Sequence, residues 1–98
     1  MKAIWSIYLI RCSDGSLYTG ITTDVIRRLE MHRTGKGAKY LKTRRPLELV
    51  FSKEVGNRSQ ASKLEYAVKR LSKAKKEQIV SGEFDCLSLL PVDDGNLE

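Results

Sequence analysis

Two tyrosines near the N-terminus, Tyr8 and Tyr18, are the first residues in the chain whose type and spacing point to chemistry. They belong to two short motifs, Ser6-Ile7-Tyr8 and Tyr18-Thr19-Gly20. A phenol donates and accepts hydrogen bonds, and once it is deprotonated it can also take a proton from another group. Two phenols held on one surface could therefore bind and activate a polar ligand.

The segment between the tyrosines predicts a β-hairpin, and its register decides whether the phenols meet. An Asp-Gly pair flanked by apolar and β-branched residues is a strong signal for a tight turn. A two-residue loop would place the phenols on opposite faces. A three-residue loop, Ser13–Gly15, sets Tyr8 opposite Gly20. It also sets Tyr18 opposite Ile10, so both phenols share one face. The hydrophobic pattern favours this longer loop, because the other face then collects a mostly apolar set: Trp5, Ile7, Leu9, Leu17, Thr19 and Ile21.

Two interpretations of the shared face remain open. Gly20 has no side chain, so it leaves space opposite Tyr8 that a ligand could enter. Alternatively, both rings simply pack against a helix, since tyrosine is a common residue in strands. The spacing alone is compatible with either arrangement.

A helix predicted after the hairpin carries two further ionisable residues. Thr22 or Thr23 can cap its start, and it runs to about Arg33 before two glycines stop it. Arg28 and His32 are four residues apart and therefore share a face, close to the tyrosines. Each has an ordinary alternative, a surface arginine and a buried, hydrogen-bonded histidine. Histidine is nevertheless well suited to donating or moving a proton near neutral pH.

A second helix is predicted from Asn57 or Ser59 to about Lys75, after a third strand over residues 47–52. Its apolar stripe would cover one face of the three strands. Glu65 falls on the margin of this stripe. It either pairs with Lys69 at i+4 or points into a cleft, and the spacing alone favours the salt bridge.

The charge of the chain is unevenly distributed. Residues 1–81 hold all eighteen Lys and Arg and seven of the twelve acidic residues, a net charge of +11 in that part. So large a positive excess on a small domain attracts polyanions, of which phosphate backbones are the commonest. Ordinary solubility charge is the alternative explanation. The positive net charge of residues 1–81 predicts a nucleic-acid partner.

Residues 34–45 are basic and contain two glycines and one aromatic residue. This composition suits a loop and a short helical turn along a phosphate backbone, with Tyr40 either stacking on a base or packing inward. A flexible, solvated linker is the alternative. We predict nucleic-acid contacts from this segment and from neighbouring cations: Arg27, Lys36, Lys39, Tyr40, Lys42, Arg44, Arg45 and Lys73.

Length and composition set the remaining expectations. The 98 residues suffice for one domain, expected at residues 1–82, and residues 83–98 have five acidic and no basic residues, which predicts a flexible acidic tail. The sequence contains no run of about eighteen apolar residues, so we expect neither a membrane span nor a membrane partner. Without a signal peptide, Cys12 and Cys86 are expected to be reduced thiols, which indicates a cytoplasmic protein.

Taken in order, these motifs resemble the GIY-YIG nuclease superfamily, in its small single-domain bacterial YhbQ-like branch. The resemblance covers roughly residues 4–80. Ordered motifs at matching intervals are more specific than any single motif, so they favour the functional interpretation of the ionisable residues. The matching elements are Ser6-Ile7-Tyr8, Tyr18-Thr19-Gly20, Arg28, His32, the loop Gly35-Lys36-Gly37-Ala38, and Glu65.

The resemblance implies an α+β fold, an α/β sandwich with a central three-stranded antiparallel sheet flanked by helices. It also implies a metal-dependent endonuclease acting on DNA. In that role Tyr8 and Tyr18 line the site and Arg28 contacts the scissile phosphate. His32 assists, and Glu65 binds Mg²⁺ or Mn²⁺. Tyr8 is the expected base, although the two phenols could exchange roles, and nearby cations would have to lower its pKa.

Other functions are compatible with the same residues. The chain could be a catalytically weak or inactive nucleic-acid-binding module of this fold, or its basic face could meet an acidic protein. If it is a nuclease, it could be specific for branched or damaged DNA in repair or recombination. No second recognition domain is evident, so a protein partner could supply substrate specificity.

Overall fold

The computed structural model describes residues 3–90, which form three strands, four helices and one 3₁₀ turn. The central strand is β1, and it lies between β2 and β3 in an antiparallel sheet. None of the helices within this described range combines the length and the hydropathy needed to cross a bilayer. In chain order the elements are β1 (Trp5–Arg11), β2 (Leu17–Thr22), α1 (Val25–Arg33), α2 (Lys39–Lys42), β3 (Glu48–Gly56), α3 (Arg58–Lys69), α4 (Lys73–Ser81) and the 3₁₀ turn (Cys86–Leu89).

The β1–β2 hairpin has the predicted register. Tyr8 lies opposite Gly20, and Tyr18 lies opposite Ile10. Gly15 occupies the third loop position with a φ of 86°, in the left-handed region that glycine adopts without steric cost. Because side chains alternate along a strand, both phenols project from the same face of the sheet.

The two faces of the sheet bury different clusters. Ile7 and Leu9 pack against α3, α4 and the 3₁₀ turn. On the opposite face, Tyr8 and Ile10 pack with Leu29 of α1 and with α2. The predicted α+β fold, with a three-stranded antiparallel sheet between helical layers, is confirmed. The phenols therefore belong to the layer formed by α1 and α2.

The start of α1 differs from the prediction. Asp24 caps the helix, rather than Thr22 or Thr23, because its carboxylate accepts a hydrogen bond from the Arg27 N–H at 3.1 Å. Thr22 instead accepts a hydrogen bond from the Asp24 N–H, also at 3.1 Å. The threonine thus shapes the turn that precedes the helix, and the cap places α1 directly after β2.

The predicted long helix is interrupted after Lys69. Asn57 caps its start as expected, in a capping box with Gln60. Ser72 then caps a separate helix, α4, by accepting a hydrogen bond from the Lys75 N–H at 3.1 Å. Lys73, Lys75 and Lys76 therefore lie in the first turn of α4, where the helix dipole does not favour cations.

An ion-pair network attaches α4 to the central strand. The two terminal guanidinium nitrogens of Arg11 donate to the Glu77 carboxylate at 2.7 Å, and Lys73 donates to it at 3.0 Å. These hydrogen bonds, from Arg11 first and then Lys73, lower the pKa of Glu77 to about 2. Glu77 therefore remains charged over the physiological pH range.

The predicted domain boundary at residue 82 is wrong for residues 83–90. Cys86 is 1% exposed in the core, and Phe84, Leu87 and Leu89 pack against the same cluster. The acidic residues of this segment had suggested a solvated tail, but its apolar residues bury against α3 and β3. Residues 91–98, the rest of the predicted acidic tail, lie outside the described residues.

Thr19 carries a buried hydroxyl that has no hydrogen-bond partner within residues 3–90. An unpaired buried hydroxyl costs stability, so we expect Thr19→Val to raise the free energy of unfolding by about 1 kcal/mol. Chemical denaturation measures this change. Thr22→Val is the matched control, because the Thr22 hydroxyl is hydrogen-bonded and its loss is expected to lower stability. A Thr19→Val protein that is less stable than wild type would contradict the assignment.

Candidate active site

Tyr8 and His32 form a buried pair at the centre of the candidate site. Tyr8 projects from β1 and is 2% exposed, and His32 projects from α1 and is 1% exposed. The phenol oxygen lies 2.8 Å from the His32 Nε2, and the ring centres are 5.9 Å apart. The pair therefore connects the central strand to α1.

The loop after α1 determines the tautomer of His32. The Ala38 N–H donates to the imidazole Nδ1 at 3.1 Å, so Nδ1 carries no proton. Burial, and then the nearby charge of Arg28, lowers the pKa of His32 and favours the neutral ring. In the neutral ring Nε2 carries the proton and donates it to the Tyr8 oxygen. Such a donor stabilises a phenolate, and it leaves the phenol's own proton available to another acceptor.

Two glycines provide the volume that this pair occupies. A Cβ atom at Gly20 would overlap the Tyr8 hydroxyl, and one at Gly37 would overlap the His32 imidazole. The expectation that Gly20 leaves open space for a ligand is therefore wrong, because the phenol itself fills that space. Since Gly20 belongs to the edge strand β2, the Tyr8 hydroxyl reaches the edge of the sheet.

The pKa of Tyr8 is higher than that of a free phenol. Burial raises it from 10.0 to about 12. Arg28 lies close enough to oppose this rise, whereas the charges of Tyr18 and Glu65 make smaller contributions to it than burial does. Burial outweighs the guanidinium, so Arg28 alone does not supply the lowering of the pKa that a base at neutral pH requires. Tyr8 is protonated at neutral pH, and it needs additional positive charge near its oxygen to become an effective base.

Tyr18 is half-buried and lies against three other rings. Its ring centre is 6.4 Å from that of Tyr8, 5.6 Å from His32 in an edge-on arrangement, and 6.0 Å from Tyr40 in a stacked arrangement. The Arg44 guanidinium carbon lies 3.8 Å from the centre of the Tyr40 ring. Tyr40 therefore packs against Tyr18 at the site, although 43% of it remains exposed.

Arg28 is half-buried on α1, beside the phenol. Its guanidinium contacts the Met31 sulfur at 4.0 Å, and it forms no salt bridge with a carboxylate in residues 3–90. Together with Arg27 it lines a cleft of about 180 Å³ at the start of α1. A guanidinium in this position can fork two donors to phosphate oxygens.

Glu65 approaches the site from the other helical layer. It belongs to α3, which packs against β2 and β1, and its charge contributes to the raised pKa of Tyr8. Its side chain is 24% exposed, and one carboxylate oxygen lies 3.2 Å from the Lys69 Nζ. The predicted i+4 ion pair is present, and the carboxylate still acts electrostatically on the phenol.

The donor set fits a largely hydrated divalent cation. In the described part of the chain, no group of three or more His, Cys, Asp and Glu side chains could enclose a metal. Mg²⁺ is often held by one or two carboxylates and retains several waters, whereas structural zinc needs about four protein ligands. The partly exposed Glu65 carboxylate suits the first kind of site. Mg²⁺ or Mn²⁺ is therefore compatible with these residues.

Four of the predicted nucleic-acid contacts are exposed cations on the same layer as the phenols. They lie on α1, on α2 and in the loop between these helices. None of the four forms a salt bridge within residues 3–90, so their charge is not neutralised there. They are Arg27, Lys36, Lys39 and Lys42.

The other predicted cationic contacts have partners in the protein. Arg44 forms a salt bridge with Asp14 at 3.3 Å, and Arg45 donates to two backbone carbonyl oxygens at 3.0 and 3.2 Å. Lys73 pairs with Glu77 on α4, in the opposite layer. The structure thus brings Tyr8, Tyr18, Arg28 and His32 together and leaves Lys73 apart from them.

Several residues that support the site escaped sequence reasoning. Gly37 and Ala38 hold the His32 ring, whereas the sequence indicated their loop only as a family motif and a basic segment, without a contact to the histidine. Ser16 accepts a hydrogen bond from the Tyr40 hydroxyl at 3.1 Å, and Asp14 accepts one from the Ser16 hydroxyl at 2.6 Å. The available signal was the pair of small residues a few positions after the histidine.

Comparison with known families gives a match over most of the chain. Residues 4–78 match the family model described as the GIY-YIG catalytic domain. A UPF0213 protein from Cronobacter sakazakii is 53% identical over 89 residues, which cover 89% of this chain and 94% of the relative. Another, from Yersinia enterocolitica, is 55% identical over 91 residues, covering 92% and 94%. Neither relative's name states an activity.

Two solution NMR structures have the same fold. A UPF0213 protein from Bacillus halodurans is 48% identical, with a TM-score of 0.53 and coverage of 82% of this chain and 85% of that chain. A protein from E. faecalis is 41% identical, with a TM-score of 0.59 and coverage of 83% and 86%. The sheet and the helical layers that position the site are therefore shared with experimentally determined structures.

Proposed function

The chain belongs to the GIY-YIG family, and from this premise we propose that it is a metal-dependent endonuclease that hydrolyses phosphodiester bonds in DNA. Membership of this nuclease family implies a nucleic-acid substrate. We propose branched or damaged DNA of repair or recombination as the substrate class, with a separate protein partner supplying further specificity. A cytoplasmic location suits the two free cysteines, Cys12 and Cys86.

The strongest support for this proposal is the arrangement of four side chains at the site. A phenol that accepts a hydrogen bond from an imidazole N–H lies beside an arginine without a carboxylate partner in residues 3–90. The charge of a carboxylate on α3 also acts on this phenol. Phosphodiester hydrolysis needs a proton acceptor, a cation for the phosphoryl oxygens and a means of stabilising the departing oxygen. The residues are Tyr8, His32, Arg28 and Glu65.

Each side chain then has a distinct part in the reaction. Arg28 binds the scissile phosphate with two N–H donors and neutralises charge on its oxygens. Tyr8 takes the proton of the attacking water, and the N–H of His32 stabilises the phenolate that this requires. Tyr18 orients the phosphate or the water. Glu65 would hold the divalent cation, which would supply positive charge that stabilises the departing oxygen.

A cleavage screen tests the proposal. The purified protein is incubated with forks, flaps, junctions, linear duplex, single strands and RNA, in Mg²⁺, in Mn²⁺ or in EDTA. We expect cleavage of at least one DNA substrate with a divalent metal and none in EDTA. Failure to cut any substrate with either metal would overturn the enzymatic proposal.

The burial of Tyr8 supports a second candidate, a nucleic-acid-binding module with little or no turnover. A phenol that is 2% exposed and has a pKa of about 12 is a poor base in the free protein. This candidate predicts binding without cleavage, and binding should weaken steeply as salt rises. Affinity that is independent of salt would instead favour an acidic protein as the partner of the basic face.

A further inference from the structure

The outward face of α3 carries an exposed aromatic ring among cations. Tyr66 is 65% exposed, against 43% for Tyr40 in the candidate site. Lys63, Lys69 and Arg70 are exposed and lie three or four residues from Tyr66, so they surround it on the helix surface. Arg70 donates to the Tyr66 hydroxyl at 3.2 Å, and its guanidinium carbon lies 5.4 Å from the ring centre.

Packing does not account for Tyr66. The core-facing residues of α3 are Ala61, Leu64 and Val68, all of them buried. A ring that is mostly in solvent buries little area and so adds little to folding. The surrounding charge is one-sided, because residues 58–70 contain four basic residues and one acidic residue. Such a surface is complementary to phosphate groups.

We propose that Lys63, Tyr66 and Arg70 form a binding site for single-stranded nucleic acid on α3. An unpaired base stacks on the Tyr66 ring, and the two cations contact the flanking phosphates. Aromatic rings flanked by positive charge bind single strands in this way with little dependence on sequence. The bases of an intact duplex are stacked on one another, so they offer no free face to the ring.

The location of this site deepens the proposed function, on which it rests. Glu65, the candidate metal-binding carboxylate, immediately precedes Tyr66 on α3. The two side chains point about 100° apart around the helix axis, so a strand that crosses α3 at Tyr66 reaches the Glu65 side within one turn of the helix. The proposed nuclease would therefore prefer substrates with an unpaired segment beside the cleavage point, such as flaps and forks. Tyr66 would be a specificity-determining contact, separate from the reacting groups.

Equilibrium binding in EDTA tests this site. The probes are a labelled deoxythymidine oligonucleotide and a labelled linear duplex, and the proteins are wild type, Tyr66→Ala and the conservative variant Tyr66→Phe. We expect Tyr66→Ala to weaken single-strand binding by about tenfold, since one stacked base contributes about 1–3 kcal/mol. Duplex affinity should not change measurably. Tyr66→Phe keeps the ring and should bind the oligonucleotide like wild type.

The controls separate this proposal from the nuclease proposal. Binding without a divalent metal does not depend on cleavage, so a protein that uses Tyr66 but cuts nothing would contradict only the nuclease. Unchanged single-strand affinity in Tyr66→Ala, or an equal loss for both probes, would overturn the stacking site. So would altered self-association with unchanged DNA binding, because the surface would then be an interface between copies. Thermal unfolding verifies that each variant is folded.

Discussion

Replacing Glu65 by glutamine is expected to lower the rate of Mg²⁺-dependent cleavage by at least about 100-fold. Metal-ion stabilisation of transition-state charge contributes several kcal/mol, and the neutral amide no longer attracts the cation. The measurement is a single-turnover cleavage rate on the substrate that the wild-type protein cuts best. DNA affinity in EDTA should be equal or slightly higher, because Lys69 loses its ion-pair partner at 3.2 Å.

Glu83→Gln is the matched control for this variant. Glu83 is exposed, follows α4 in the same helical layer as Glu65, and carries the same charge. Its substitution should leave both the cleavage rate and the affinity unchanged. Cleavage by Glu65→Gln at the wild-type rate would show that another group holds the metal. A loss of affinity that matches the loss of rate would make Glu65 a binding residue rather than a metal ligand.

Tyr8→Phe is expected to lower the cleavage rate by about 10²- to 10⁴-fold, the usual contribution of a general base. The substitution removes only the hydroxyl and preserves the buried ring. It also leaves the Nε2–H of His32 without its partner at 2.8 Å, which should reduce stability by about 1–3 kcal/mol. The rate must therefore be measured well below the unfolding temperature of the variant.

The pH dependence of cleavage should identify the proton acceptor. Burial raises the pKa of Tyr8 to about 12, so only a small fraction of this phenol is deprotonated near neutral pH. Below the pKa that fraction grows about tenfold for each pH unit, and the wild-type rate should rise with pH accordingly. Tyr8→Phe should lose this rise, and any residual cleavage should depend little on pH.

Tyr18→Phe is the comparison for this experiment. It removes the hydroxyl of the half-buried phenol and retains the stacking on Tyr40 at 6.0 Å. We expect a smaller loss of rate and an unchanged pH dependence. If Tyr18→Phe abolishes the pH dependence and Tyr8→Phe retains it, Tyr18 is the base and the two roles are exchanged. His32 would then stabilise a structural phenol.

The parts of this fold that were predictable depend on local signals. The hairpin register follows from an Asp-Gly turn and an alternating apolar pattern, both contained in about twenty residues. The cap at Asn57 depends on the next three residues only. The shared face of Arg28 and His32 follows from their spacing of four. These signals also brought the phenols to one face of the sheet.

The parts that were not predictable depend on contacts between distant segments. Whether the pKa of Tyr8 rises or falls is decided by its burial against His32, which is 24 residues away, and by the absence of a side chain at Gly20. The segment 83–90 was misassigned because its acidic residues were weighed more heavily than its apolar ones. Tyr66 was missed because no periodicity distinguishes an exposed aromatic residue from an ordinary helix position.

The two glycines beside Tyr8 and His32 determine when the site acquires its shape. The pair fills all the room that Gly20 and Gly37 leave, so the phenol oxygen has its position as soon as the chain has folded. Binding a substrate then needs little rearrangement of these two groups. The conformational entropy of the phenol and the imidazole is lost when the chain folds, and not again in each catalytic cycle. A side chain added at Gly20 would displace the phenol oxygen itself, and one added at Gly37 would displace the imidazole that holds this oxygen.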